Sequence, residues 1–338
     1  MLVRRVTVGQ RRREVRCAQL QSAARPENTM KFLHHPEGLV KVLDHVLHHD
    51  VIEALAIKRI WEFVEVVDDV SVGILGNIDP DRTRCLGRSA ADLALSLSTI
   101  AGPDSNTPLA INESGDVFAR PLDRSFKGVR VAWFKDLGGV PFDPRVRSIM
   151  DAHRATFESL GCIAEQAEPD FSPAEISFRT LRAWTAAANY GKMLQQHPNA
   201  FKDTLRDEIQ RGTKLTGQDI AHAEVAHSLV WRNFQSFLGK YEYFILPTTQ
   251  TPPFDVNKPY PAEIAGVHFD NYIDWMKSCW YISATGNPAA SVPAGFTPEG
   301  LPVGLQIVGR DKLDFSVLQM AHAFEQATGF GTKHPAIA

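Results

Sequence analysis

From Ser89 onward the spacing of apolar residues alternates between helical and strand periods in a regular order. Ser89-Ala-Ala-Asp92 has the form of a capping box. Leu93, Leu97 and Ile100 follow on one helical face, and Gly102-Pro103 closes the segment. Val129–Phe134 reads as a buried strand. Asp143-Pro144 opens a helix with Val146, Ile149, Met150, Phe157 and Leu160 turned inward, and Cys162–Gln166 is a second strand. Strand, helix, strand in this order predicts a βαβ unit.

The middle of the chain reads as helical. Ser172-Pro-Ala-Glu175 is expected to cap a helix reaching about Met193, a shorter helix follows Asn199, and Thr216-Gly-Gln-Asp219 starts a long one ending near Leu238. Strand patterns return at Tyr243–Leu246, Ala289–Val292 and Leu305–Val308, before a last helix over Phe315–Gln326. The expected fold class is α/β, a mixed β-sheet covered by helices.

Residues 1–85 read differently. A basic start (Arg4, Arg5, Arg11, Arg12, Arg13, Arg16) gives way to the histidine-rich stretch His34 to His49 and then to the acidic, valine-rich run Glu62 to Asp69. The apolar spacing of Leu39, Val42, Leu43, Val46 and Leu47 fits a helix, and Val64–Ile74 fits one or two strands. His45 and His49 stand four apart beside Asp44 and Asp50, a spacing that permits a metal site; a solvated histidine face is the plainer reading. This stretch is treated as an N-terminal segment of unknown structure, with the boundary placed at residue 86. Its unrelated biases suit a segment joined by rearrangement or a shifted reading frame, which peptide mapping would test.

Composition narrows the classes. With 338 residues, 44% of them hydrophobic, the chain can bury a large core. Its 36 basic and 39 acidic side chains leave a net charge of −3, which offers no broad field for nucleic acid or an anionic membrane. No apolar stretch has the length of a bilayer span. The arginine-rich start lacks the apolar core of a secretory signal and fits a transit peptide only loosely. Cys17, Cys85, Cys162 and Cys279 show no C-x-x-C spacing, so a reducing cytoplasm is expected and neither a zinc site nor any other cofactor is.

The stretch Thr285-Gly-Asn-Pro-Ala-Ala-Ser-Val-Pro-Ala-Gly-Phe296, followed by Gly300-Leu-Pro-Val-Gly-Leu-Gln-Ile-Val-Gly309, resembles the C-terminal signature of the amidase signature family. Gly87-Arg-Ser-Ala-Ala-Asp-Leu-Ala-Leu is similar to the helix that begins Gly-Pro-Met-Ala-Arg-Ser in that family, and Ile245-Leu-Pro-Thr-Thr to its strand end. The resemblance covers 86–338 and implies part of an amidase-signature fold. It also implies an amide hydrolase working with a serine nucleophile, a bridging serine, a lysine base and a glycine-rich oxyanion loop. In the family these lie in a run like Gly-Gly-Ser-Ser-Gly-Gly.

No Ser-Ser or Ser-Gly-Gly occurs in this sequence, and its one Gly-Gly is Gly138-Gly139. No catalytic residue is therefore assigned, and the chain by itself is expected to be inactive. The readings kept open are a non-catalytic binding module and a noncanonical amidase for small apolar or aryl amides.

By the same resemblance, Trp275, Met276, Cys279 and Trp280 are the candidate substrate-binding wall, with core packing an equally good account of their aromatics. Met276-Lys277-Ser278-Cys279 departs from the pattern of the glutaminase subunits, which favours the general amidases. Cys279 reads as a buried small hydrophobe, and His153, His197, His222, His227, His268 and His322 mostly as helix-surface residues. A small-molecule amide is the expected partner, and a homo-oligomer is left open.

Overall fold

A computed structural model describes residues 86–103 and 113–330, all of them within one compact unit. The metal sketch at His45 and His49 and the other readings of residues 1–85 lie outside the described residues.

The capping box forms as expected. Ser89 Oγ accepts from the Asp92 N–H at 3.2 Å, and Asp92 accepts from the Ser89 N–H at 3.1 Å, starting α1 (Ala90–Ile100). β1 (Arg130–Trp133), α2 (Pro144–Ser159) and β2 (Ile163–Gln166) make the expected parallel βαβ unit, with Arg130 opposite Ile163 and Trp133 opposite Gln166. Three helices follow: α3 (Ala174–Gln196), α4 (Asp203–Gly212) and α5 (Gly217–Leu238). Thr216 and Asp219 form the second capping box. At α3 the expectation fails: the N-cap is Pro173 without a side-chain bond, and the Ser172 N–H, which a capping box would give to Glu175, goes to Asp170 Oδ1 at 2.9 Å.

β3 (Tyr243–Pro247) lies between β1, to which it is parallel, and β7, to which it is antiparallel. After the small hairpin of β4 (Glu263–Ile264) and β5 (Val267–His268) comes a helix the periodicity did not signal, α6 (Lys277–Thr285). β6 (Ala289–Phe296) and β7 (Pro302–Val308) form an antiparallel hairpin, and α7 (Asp314–Thr328) ends at Gly329, whose φ of 65° is the left-handed conformation glycine adopts without steric cost. The sheet order is β2-β1-β3-β7-β6.

Helices cover both faces of this mixed sheet. On one, Tyr243 lies edge-on to Phe126, and its hydroxyl meets Ser316 of α7. On the other, Phe244 meets Phe234 and Phe237 of α5 and Phe171 of the loop before α3. Val146, Met150 and Phe157 of α2 are buried as expected, with Ile149 and Leu160 half-buried. His153 corrects the expectation of a surface histidine. It is buried, with Nε2 at 2.5 Å from the Ala294 carbonyl and its ring edge-on to Phe324.

At Gly212 a Cβ would lie 1.8 Å from the Ala183 carbonyl oxygen, so α3 and α4 touch through bare backbone. Glu208 of α4 is buried against Arg182 of α3 at 2.9 Å.

Candidate active-site wall

The loop after β3 carries Thr248 and Gln250, both buried, to the point where the sheet changes from parallel to antiparallel pairing. In open α/β sheets, ligand sites gather outside the carboxyl ends of the parallel strands, and this loop leaves such an end. Gln250 is tied on three sides. Its carbonyl accepts from the Asp143 N–H (2.8 Å), its Nε2 donates to the Pro141 carbonyl (3.1 Å), and its Oε1 accepts from the Lys277 N–H (2.5 Å). The last bond satisfies one of the N–H groups that a helix leaves open at its N-terminus, and it starts α6 without a local cap.

α6 is held down next by Thr248, whose carbonyl accepts from Ser278 Oγ (3.0 Å) and from Cys279 Sγ (2.8 Å). Gln306 Nε2 reaches the Ser278 carbonyl at 3.2 Å from β7. The loop after β3 and the strand β7 therefore fix the first turn of the helix.

All four wall candidates lie in this region, and all four are buried. Trp280 is fully enclosed, stacked on Phe178 with 4.5 Å between ring centroids, and its indole N–H donates to the Ile273 carbonyl (3.0 Å). Met276 is also fully enclosed. Burial pushes the Cys279 thiol up to about 12, so it stays protonated at neutral pH and donates to Thr248. Trp275 packs edge-on against Phe254, and its buried indole N–H has no hydrogen-bond partner among the described residues. Of the four side chains, Trp275 alone has an uncommitted polar atom.

Beside the wall, Lys277 Nζ lies 3.1 Å from Glu175 and 3.9 Å from Asp274. Arg179 of α3 bonds to both carboxylates, reaching Glu175 at 2.6 Å. Burial works against ionising Glu175, but Arg179 and Lys277 outweigh it and hold its carboxyl below the usual range. The sequence did not single out this group, because its members come from α3, the turn before α6 and α6 itself. Among the described residues, no group of three histidine, cysteine, aspartate or glutamate side chains is placed to hold a metal, and no helix is long and apolar enough to cross a membrane.

The remaining histidines are dispersed. His197, His222 and His268 are exposed, His322 is half-buried, and His227 is half-buried with burial lowering its pKa. None of them joins the wall's hydrogen bonds.

This strand-end loop, helix and glycine-rich hairpin, together with the sheet that carries them, define a class. The Amidase family model matches residues 80–318, and the chain belongs to the amidase signature family. Among curated proteins it is 31% identical over 252 residues to an acylamidase from Rhodococcus erythropolis, covering 74% of this chain and 53% of that protein. It is 29% identical over 280 residues to a subunit of the glutamyl-tRNA(Gln) amidotransferase of Brevibacillus brevis, covering 73% of this chain and 54% of that one. The chain spans about half the length of the curated relatives it matches.

Solved structures agree on the fold. A bacterial aryl acylamidase of the amidase signature family superposes with a TM-score of 0.65 at 20% identity, covering 72% of this chain and 52% of that one. For 6-aminohexanoate cyclic dimer hydrolase the TM-score is 0.62 at 18% identity, covering 74% and 55%.

Proposed function

We propose that this chain is the substrate-side half of an amide hydrolase of the general amidase type, and that by itself it does not turn over amides. The observation that carries the second statement is the state of the wall's reactive groups. The Cys279 thiol is held protonated by burial, and the Lys277 ammonium is fixed between two carboxylates, so neither serves as nucleophile or base. The serine-rich run that implies nucleophile and oxyanion loop is not in the sequence.

The unpartnered indole N–H of Trp275, beside Phe254, favours a binding role for the wall. A buried donor without an acceptor is costly, and an amide carbonyl with an apolar or aryl substituent would relieve that cost. The ligand class proposed is accordingly a small apolar or aryl amide. Cys162 and Cys279, both free and buried, suit a reducing cytoplasm.

Turnover of a panel of aliphatic amides and aryl anilides by the purified full chain tests the reading. No release of amine above the protein-free rate is expected. Turnover that Cys279→Ala or Lys277→Met abolishes would make the chain a hydrolase in its own right. Thermal stabilisation by an unreacted aryl amide, lost in Trp275→Phe, is the expected sign of binding.

A further inference from the structure

On the face of the sheet that α7 covers, a cavity of about 340 Å³ opens between the coil before β1 and the second half of α7. Leu122, Ala323, Ala327 and Leu160, the residue that ends α2, give it an apolar lining. Small organic molecules bind in mostly apolar cavities of about this size when a few polar groups converge on them.

Two charged side chains reach this cavity, and they are neighbours in sequence, Asp123 and Arg124. Arg124 is anchored from behind. Its Nη1 donates to the Tyr243 hydroxyl (2.9 Å) and to Ser316 Oγ (3.0 Å) and pairs with Glu242 (2.5 Å), while its guanidinium carbon lies 5.1 Å from the centre of the Phe126 ring. Every one of these hydrogen bonds uses the same nitrogen. Nε and Nη2, which form the side edge of the guanidinium that matches a carboxylate, bond to no described residue. Asp123 is exposed, and its carboxylate likewise has no partner among the described residues. The remaining polar members are His322 and Gln326 of α7, and the exposed Gln326 amide offers a further donor.

We propose that this cavity binds a free apolar α-amino acid as its zwitterion, with the carboxylate across Nε and Nη2 of Arg124, the ammonium at Asp123 and the side chain on the leucines and alanines. The balance of charge selects that class. Glu242 already offsets Arg124, and Asp123 adds a negative charge, so a bare carboxylate would meet repulsion, whereas a bare ammonium would leave the Arg124 edge unused. In an α-amino acid the two poles sit on one carbon, and each finds its opposite. Trp275, Met276, Cys279 and Trp280 do not line this cavity, so the proposal stands apart from the functional reading above.

The test is NMR titration of the full chain, methyl-labelled at leucine and isoleucine, with L-leucine and L-phenylalanine. Saturable binding in about the millimolar range is expected. The methyl signals of Leu122 and Leu160 should shift, and those of Ile273 and Ile282, beside the proposed wall, should not. 4-Methylpentanoate, which lacks the ammonium, and leucinamide, which lacks the carboxylate, should each bind about tenfold more weakly than leucine. Asp123→Asn should weaken leucine to a similar degree without weakening 4-methylpentanoate. Arg124→Lys keeps a charge opposite Glu242 but loses the fork, and it should weaken both; Asp151→Asn, exposed on α2, should change neither. Absence of saturable binding, shifts confined to Ile273 and Ile282, or equal affinity for leucine and 4-methylpentanoate would overturn the proposal. Because Asp123 is exposed, Asp123→Asn decides the matter even if Arg124→Lys does not fold, and unchanged leucine binding in that variant would overturn it as well.

Discussion

Replacing Gln250 with leucine tests whether a single buried amide holds the proposed substrate wall in place. Leucine has a similar volume and keeps the backbone bond from Asp143, but it removes the acceptor for the Lys277 N–H (2.5 Å) and the donor to the Pro141 carbonyl (3.1 Å). Gln250 is fully buried, so water does not replace either partner. Each stranded group costs about 1–3 kcal/mol, which puts Gln250→Leu at about 2–6 kcal/mol of lost stability. The assay is urea unfolding of the full chain, read as a fall in the midpoint at constant slope, alongside amide exchange at Lys277. Exchange there should accelerate more than at the amides of α7. Gln195→Leu, at an exposed site on α3, is the control and should shift stability by less than about 0.5 kcal/mol. A loss below about 1 kcal/mol for Gln250→Leu, or unchanged exchange at Lys277, would refute the view that this residue starts α6.

Three further outcomes follow from the packing and the charges. Cys162 and Cys279, with thiols raised to about 11 and about 12 by burial, should resist alkylation at pH 8 in the native chain and react fully after unfolding; rapid native labelling of either, read by peptide mass, would contradict the burial. Glu325 is raised by burial although it accepts from the Ala90 N–H (2.9 Å), so its contribution is fullest below its unfolded pKa and is lost as pH rises through the folded value. Glu325→Gln keeps an acceptor for that N–H and should gain on the wild type from pH 4 to pH 8, a trend that thermal unfolding across that range can confirm or reverse. Gly212→Ala should cost about 1–3 kcal/mol by forcing α4 away from Ala183, and a neutral result in urea unfolding would mean that the two helices shift apart freely.

The elements legible in the sequence are those whose ends carry their own chemistry. Ser89 with Asp92 and Thr216 with Asp219 close capping boxes within four residues, and Asp143 accepts from the Arg145 N–H (2.9 Å) ahead of a helix that begins at Pro144. α6 was not legible because its N-terminus is satisfied from 27 residues away by Gln250. Ser172 misled for a related reason: Asp170 takes the N–H that Glu175 would accept in a capping box, and the helix begins at Ala174 after an uncapped Pro173. The wall followed the same division. Its candidates came from the family resemblance alone, whereas the engagement of Trp280 with Phe178 and of Cys279 with Thr248 depends on contacts that no local pattern encodes.

The chain leaves the sheet at Gln166 and returns at Tyr243, and everything between these points belongs to the loop before α3 and the α3, α4 and α5 arm. β1 nevertheless pairs in parallel with both β2 and β3, so the excursion begins and ends on the two strands that flank β1. The entropy of closing such an excursion grows only with the logarithm of its length. The arm can therefore lengthen, shorten or exchange its outer surface with little effect on the strands beneath it. Since Phe178 stacks on Trp280 and Arg179 bonds to Asp274, selection acting on the arm can reshape the proposed wall while the sheet stays as it is.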